Sequence, residues 1–302
     1  MMNGALPFSG VMIRLQANRP QQAGRRAALA RNALDQAEGL RRMFAGDVRR
    51  IIGVLSERTS TCGHDLTASL AATLGATGSR VLLLDENLMA GETHPVFAVS
   101  ASCDLFQVLR NQMDLSAALM PVAANVHFLA GGMAYMARRP DDENQTDFVN
   151  AFSRLADAYD VVLINAAEEG ARYYPSLTWA AQDIIVLCGD RSDSVTTAYA
   201  HIKALQLAGE RRFHMLFEPM PVELAQMLYR NLASVSRRHL RDIPGDLGVL
   251  PQEPTDDFFA FLADSVHAWP LPKHKDGHFR AFMQRLLHKP VLQPGAADVR
   301  SS

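Results

Sequence analysis

Cysteine is scarce in this chain: three in 302 residues, Cys62, Cys103 and Cys188. They are odd in number, far apart and set in or beside apolar segments, with no C-x-x-C pair for metal or redox work, which fits a reducing compartment. Long hydrophobic runs are missing too. The longest, VLLL at 81–84 and IIVLC at 184–188, are strand-sized, and the first 30 residues lack a continuous apolar core. Neither a membrane span nor a signal peptide is expected, and the expected location is the cytoplasm. Charge of one sign is absent as well: 30 Lys+Arg against 32 Asp+Glu leave a formal charge of −2, which builds no field for a polyanion, so nucleic acid is not an expected partner. No G-x-S-x-G elbow is present to suggest a hydrolase. His274, His278 and His288 gather near the C-terminus without metal-ligand spacing and without matching cysteines or acids, so no metal site is expected.

What is there is a chain 48% hydrophobic, long enough to bury one large α/β core with appendages. Residues 1–30 hold Arg14, Arg19, Arg25 and Arg26 and no acid, and read as a flexible basic arm. RNALDQAEGLRRMFAG at 31–46 has Asn32 as an N-cap, an apolar stripe of Leu34, Ala37, Leu40 and Phe44, and Gly46 as a stop, the pattern of a short amphipathic helix. Gly39 inside it costs about 1 kcal/mol against alanine, so the helix gains from packing on something.

From residue 50 the pattern alternates. RIIGVL at 50–55, a helical DLTASLAATLGATG at 65–78 and RVLLLD at 80–85 make a βαβ unit. Further strands are expected at 126–131, 159–165, 183–189, 213–218 and 246–251, and helices near 104–111, 146–158, 193–208, 222–238 and 255–264. The expected fold is α/β, a doubly wound, mostly parallel sheet flanked by helices, over residues 48–271. After Pro270-Leu271-Pro272, HFRAFMQRLLHK at 278–289 reads as a terminal amphipathic helix within a 272–302 tail.

The βαβ frame places a loop at 56–67, where a nucleotide-binding protein would carry its phosphate-binding glycines. That loop needs backbone at positive φ, a lysine for the outer phosphates and a hydroxyl for magnesium. Here it offers Glu57, Arg58, Thr59, Ser60, Thr61, Cys62, Gly63, His64 and Asp65, with one glycine, no lysine and two acids. At an effective dielectric near 20, like charges about 4 Å apart cost on the order of 4 kcal/mol, enough to erase micromolar binding of a triphosphate.

The frame RIIGVLS…DLTASLAATLGATGSRVLLLDENLMAGETHPVFAV resembles the MinD/ParA (SIMIBI) class of P-loop ATPases. Three pieces narrow the resemblance to FlhG/FleN-type regulators of flagellar number: DQAEGLRRMF at 35–44, DSVTTAYAHIKAL at 193–205 and GDLGVLPQEPTDDFFAFLADSVHAWPL at 245–271. By register with SLA at 69–71, the resemblance puts Arg58 on the signature lysine, Gly63 on the phosphate lysine and His64 on the magnesium-holding hydroxyl. Asp85 keeps the first acid of the strand-end motif, Asn87 replaces the second, Asn165 stands at the Walker B aspartate and Glu218 at the adenine-reading asparagine. Loss at so many positions implies that ATP and magnesium are not bound and that no residue of the chain is catalytic in cis. The intact 35–44 helix implies a role in trans, stimulation of an FlhF-like SRP-type GTPase, with Gln36 near the reacting water and Asp35, Leu40 and Arg41 fixing its pose. Flagellar switch or transcription-regulator proteins are further expected partners, and 278–289 implies peripheral contact with the inner membrane or cell pole. An active MinD/ParA-like ATPase with an unconventional loop, or an interaction protein of another polar or secretion apparatus, are the alternatives.

Overall fold

The computed structural model describes residues 50–56, 62–109, 112–132, 158–166, 177–191, 193–207, 210–240 and 242–270. The expectations for the 1–30 arm, for the 31–46 helix with Asp35, Gln36, Leu40 and Arg41, for Arg58, for the 146–158 helix and for 278–289 fall outside them. The described residues all belong to the unit Val48–Ser302.

Eight strands form one sheet in the order β3-β4-β2-β5-β1-β6-β7-β8. Their ranges are β1 Arg50–Leu55, β2 Val81–Asp85, β3 Met120–Ala123, β4 Val126–Ala130, β5 Val161–Asn165, β6 Asp183–Cys188, β7 Arg212–Phe217 and β8 Gly245–Val249. All pairs are parallel except β3–β4. The order reverses around β1, since the chain runs outward through β2 and β4 on one side and through β6, β7 and β8 on the other. That is the doubly wound plan, in which ligands meet the carboxyl ends of strands near the reversal.

The helices are α1 Cys62–Ala76, α2 Leu105–Leu109, α3 Leu115–Ala118, α4 Ser194–Leu207, α5 Val222–His239 and α6 Asp256–Ala268. Central strands are apolar except at their ends because both faces are covered, and alternate residues go to opposite sides. Ile51, Leu55, Val162, Ile164, Ile184 and Val186 pack with Ile202 and Leu205 of α4 and Leu232 of α5. Ile52, Val54, Leu163 and Ile185 pack with Leu66, Leu70 and Leu74 of α1 and Phe259 and Leu262 of α6. Fully burying each such side chain contributes about 1.5–3 kcal/mol. One glycine sets the spacing on the α1 side: a Cβ on Gly75 would stand 2.3 Å from the Ala124 carbonyl oxygen.

The amino ends of the strands are tied to the end of α6. Buried Asp183 at the start of β6 accepts from Arg212 Nε at 2.7 Å and Nη2 at 2.6 Å, and pairs with His214 Nε2 at 3.0 Å. His214 stacks on Trp269, centroids 3.8 Å apart and planes 10° apart. Arg212 Nη2 also donates to the Pro270 carbonyl, and Arg50 at the start of β1 donates to the carbonyls of Trp269 and His267. Among the described residues no helix is long and apolar enough to cross a membrane.

Strand ends differ from the sequence expectation by one or two residues, and two differences are larger. The segment expected as loop up to residue 67 is helical from Cys62, so Gly63, His64 and Asp65 lie in the first turn of α1. The antiparallel edge strand β3, MPVA, has no counterpart in the expected set.

Candidate functional site

The site forms where two strand ends lie side by side. β2 and β5 pair in register with Asp85 opposite Asn165, and β1 pairs with β5 so that Val54 faces Asn165. Strand β1 leads towards α1, whose first turn is set over those ends and carries His64. The Asp85 side chain is 0% exposed, and a buried carboxylate needs donors. It has them: Oδ1 accepts from the Asn87 backbone N–H at 2.8 Å, and Oδ2 accepts from Asn165 Nδ2 at 2.9 Å and from His64 Nδ1, also at 2.9 Å. The two donors converge on one oxygen and so stand 3.2 Å apart. The Asn87 amide donates to the Ala166 carbonyl at 3.3 Å.

A second imidazole, His94, completes the corner. Its Nε2 lies 3.9 Å from Asp85 Oδ2, and its ring meets that of His64 edge-on with centroids 5.9 Å apart. The ring is held on every side. It packs against Phe97 at 5.0 Å and Phe128 at 5.1 Å, and its Nδ1 accepts from the backbone N–H groups of Val96 and Phe97 at 3.2 and 3.3 Å. The loop that carries it is a small hairpin. Thr93 and Ser100 form an antiparallel bridge with their hydroxyls 2.7 Å apart, the His94 N–H donates to the Val99 carbonyl, and Ala98 takes φ 52° to close the turn. A non-glycine residue in that region costs about 1–2 kcal/mol, which the surrounding bonds offset.

Electrostatics divides the two imidazoles. The hydrogen bond to Asp85 raises the pKa of His64 above the ordinary histidine value, against the opposing effect of burial. Burial lowers that of His94 to about 4, and the neighbouring His64 pushes the same way. At neutral pH His94 is therefore neutral, whereas Asp85 favours the imidazolium form of His64.

Of the residues expected from sequence, the structure brings Gly63, His64, Asp85, Asn87 and Asn165 together. Gly63 is buried and close-packed: a Cβ there would stand 2.5 Å from Ser56 Oγ and 3.5 Å from Asn165 Oδ1. Glu218 does not join them. It follows β7, which β1 and β6 separate from β5. Its Oε1 is buried without a partner among the described residues, and its carboxylate lies near Gly189, whose added Cβ would be 3.2 Å from Oε2. Sequence reasoning passed over His94, and only its place in the loop after β2 pointed to it. No lysine precedes Lys203 anywhere in the chain, so no shift of register could put one in the loop before α1.

The parallel sheet, its reversal at β1 and the acid ending β2 beneath the first turn of α1 define the MinD/ParA type of P-loop fold. The cell division ATPase MinD of Pyrococcus furiosus superposes with a TM-score of 0.50 at 18% identity, over 78% of this chain and 96% of that one. A plasmid partition protein of Borrelia burgdorferi gives 0.51 at 12%, over 72% and 97%. No family model matches the chain. In sequence it is similar to the antiactivator FleN of Pseudomonas aeruginosa, 26% identical over 267 residues, 80% of this chain and 95% of that protein. The fold is that of the MinD/ParA ATPases, and the sequence is similar to that of FleN.

Proposed function

We propose that this protein regulates flagellar number or placement through protein contacts, and that it neither binds nor hydrolyses ATP. The observation that carries the second half is the corner itself. Where a magnesium nucleotide would need a lysine and a hydroxyl, the chain has Gly63 packed against Ser56 and His64 bonded to Asp85, the acid a metal-bound water would otherwise contact. Asn165 occupies the remaining side of Asp85. Mg-ATP does not fit that set of residues. The first half is supported by the similarity to FleN, an antiactivator by its name. Regulation then falls to surfaces: the 31–46 helix acts on an FlhF-like GTPase through Gln36, docked by Asp35, Leu40 and Arg41, flagellar switch or transcription-regulator proteins are further partners, and 278–289 meets the inner membrane or cell pole.

Calorimetry of the full chain with ATP and magnesium tests the first point, and the expected result is no heat of binding at micromolar concentrations. Micromolar affinity would restore the reading of an active ATPase with an unconventional loop. A 31–46 peptide should stimulate GTP hydrolysis by the cognate GTPase. Gln36→Ala should remove stimulation and keep binding, whereas Leu40→Asp should remove binding by placing a charge in the apolar contact. A peptide that never touches the GTPase would end the proposed role of the helix.

A further inference from the structure

From the geometry of the Asp85 corner we infer that His64, Asp85 and His94 form a binding site for a late first-row divalent metal ion, zinc being the natural occupant. One ligand atom from each residue lies within 4.8 Å of the others. A tetrahedral zinc with bonds of about 2.0–2.1 Å separates its ligands by about 3.3 Å. The observed separations of 2.9 Å for His64–Asp85 and 3.9 Å for His94–Asp85 bracket that value, and the two imidazole nitrogens lie within 4.8 Å of each other, so side-chain shifts of about an ångström close the set.

The second observation is the state of His94. The residue is 0% exposed, and its Nε2 is aimed at this corner with no hydrogen-bond partner among the described residues. A buried ring nitrogen without a partner costs about 1–3 kcal/mol, and here the hairpin, Phe97 and Phe128 hold the ring so that it cannot turn away. The two amides at Nδ1 place the ring proton on Nε2. Binding the ion at Nε2 moves the ring proton to Nδ1, so the ring stays a neutral imidazole, and the two amide contacts of 3.2 and 3.3 Å at Nδ1 give way to it. His64, with 24% of its side chain exposed, binds through Nδ1 and carries its remaining proton on Nε2.

Outer contacts are in place as well. Ligand carboxylates are normally held by further hydrogen bonds, and Asp85 has them from the Asn87 N–H and from Asn165 Nδ2. Asn165 Oδ1 is buried and has no partner among the described residues, an acceptor that suits a water in the fourth position. Two imidazoles and one carboxylate select zinc and its neighbours over magnesium and calcium, which prefer all-oxygen sets. The expectation of no metal site drew on His274, His278 and His288, which are not part of this one.

The test uses untagged full-length protein stripped with a chelator, then titrated with zinc against a chromophoric competitor and with cobalt(II) as a spectroscopic probe. One equivalent should bind, with the visible bands of four-coordinate cobalt. His94→Phe, which keeps an aromatic ring beside Phe97 and Phe128, and His64→Gln, at the partly exposed position, should each weaken binding at least about 100-fold. Circular dichroism checks that each variant is folded, and His64→Gln keeps the test alive if His94→Phe is not. Absence of binding in the parent overturns the site, as does parental affinity in either folded variant. Loss of binding in Cys62→Ser with retention in His94→Phe also overturns it, because the ion would then sit on a thiol. Zinc and ATP are titrated separately, so failure of one reading leaves the other standing.

Discussion

Asp183→Asn changes one atom in a buried carboxylate that holds two basic side chains. In the parent, Asp183 accepts two bonds from Arg212 and pairs with His214, and it is itself buried. The amide keeps one acceptor oxygen and turns two N–H donors towards groups that are also donors. Removing one partner of a buried ion pair costs about 3–5 kcal/mol. Arg212 is 36% exposed, so water recovers part of that, and the expected loss is about 2–3 kcal/mol at pH 7.

The pH dependence gives the sharper signature. Burial alone would raise the Asp183 pKa, but the hydrogen bonds from His214 and Arg212 and their charges outweigh it, and the folded value lies below the ordinary carboxylate value. A depressed folded pKa contributes stability above the unfolded value near 3.9, and that contribution is lost as pH falls through the folded value. The gap between parent and variant should therefore be full above about pH 5 and shrink below about pH 4. Urea unfolding at pH 7 and pH 3, followed by the fluorescence of Trp269, which loses its fixed stack on His214, measures it. A gap under about 0.5 kcal/mol at pH 7, or one of equal size at both pH values, would refute the reasoning.

Gly75→Ala sets helix propensity against packing. Alanine gains about 1 kcal/mol inside a helix, but its Cβ meets the Ala124 carbonyl at 2.3 Å and Val126 Cγ2 at 2.6 Å. Forcing α1 outward costs about 1–3 kcal/mol, so thermal unfolding should show a net loss rather than a gain. The double change Gly63→Lys with His64→Thr should not produce ATP turnover in a phosphate-release assay, since Asn87 and Asn165 stay as they are and the new Cβ at 63 meets Ser56. Turnover at rates usual for the family would show that the loop was nearly competent. Thr255→Ala removes the N-cap of α6, whose hydroxyl accepts from the Phe258 N–H at 3.4 Å. A bond that long belongs at the lower end of the cap range, about 0.5–1 kcal/mol in chemical denaturation.

The parallel strands were legible because strands covered on both faces read as short continuous apolar runs, as in VLLLD and DIIVLC. β3 was not, because four residues containing Pro121 carry no such signal; only its pairing with β4 makes MPVA a strand. The start of α1 came three residues earlier than expected: within the helix Thr67 donates back to the Gly63 and His64 carbonyls, and across the fold His64 bonds Asp85, a contact that helical period does not show. Asp85 and Asn165 could each be singled out by position. Their mutual bond could not, since it depends on β2 pairing with β5, a neighbour 80 residues away. His94 was hidden for a related reason: its place depends on a hairpin that follows no helical or strand period.

The tie between α6 and the strand starts fixes where the chain departs. Arg50 and Arg212 grip the carbonyls of His267, Trp269 and Pro270 at the amino ends of β1 and β7, whereas Asp85 and Asn165 close the carboxyl ends of β2 and β5. A strand of six residues spans about 17 Å, so the exit point and the His64–Asp85 corner face opposite directions with the thickness of the sheet between them. A contact made at Trp269 and Pro270 and one made at the corner therefore lie about a strand length apart. Two ligands small enough to stay at opposite ends of the strands would bind there without touching each other.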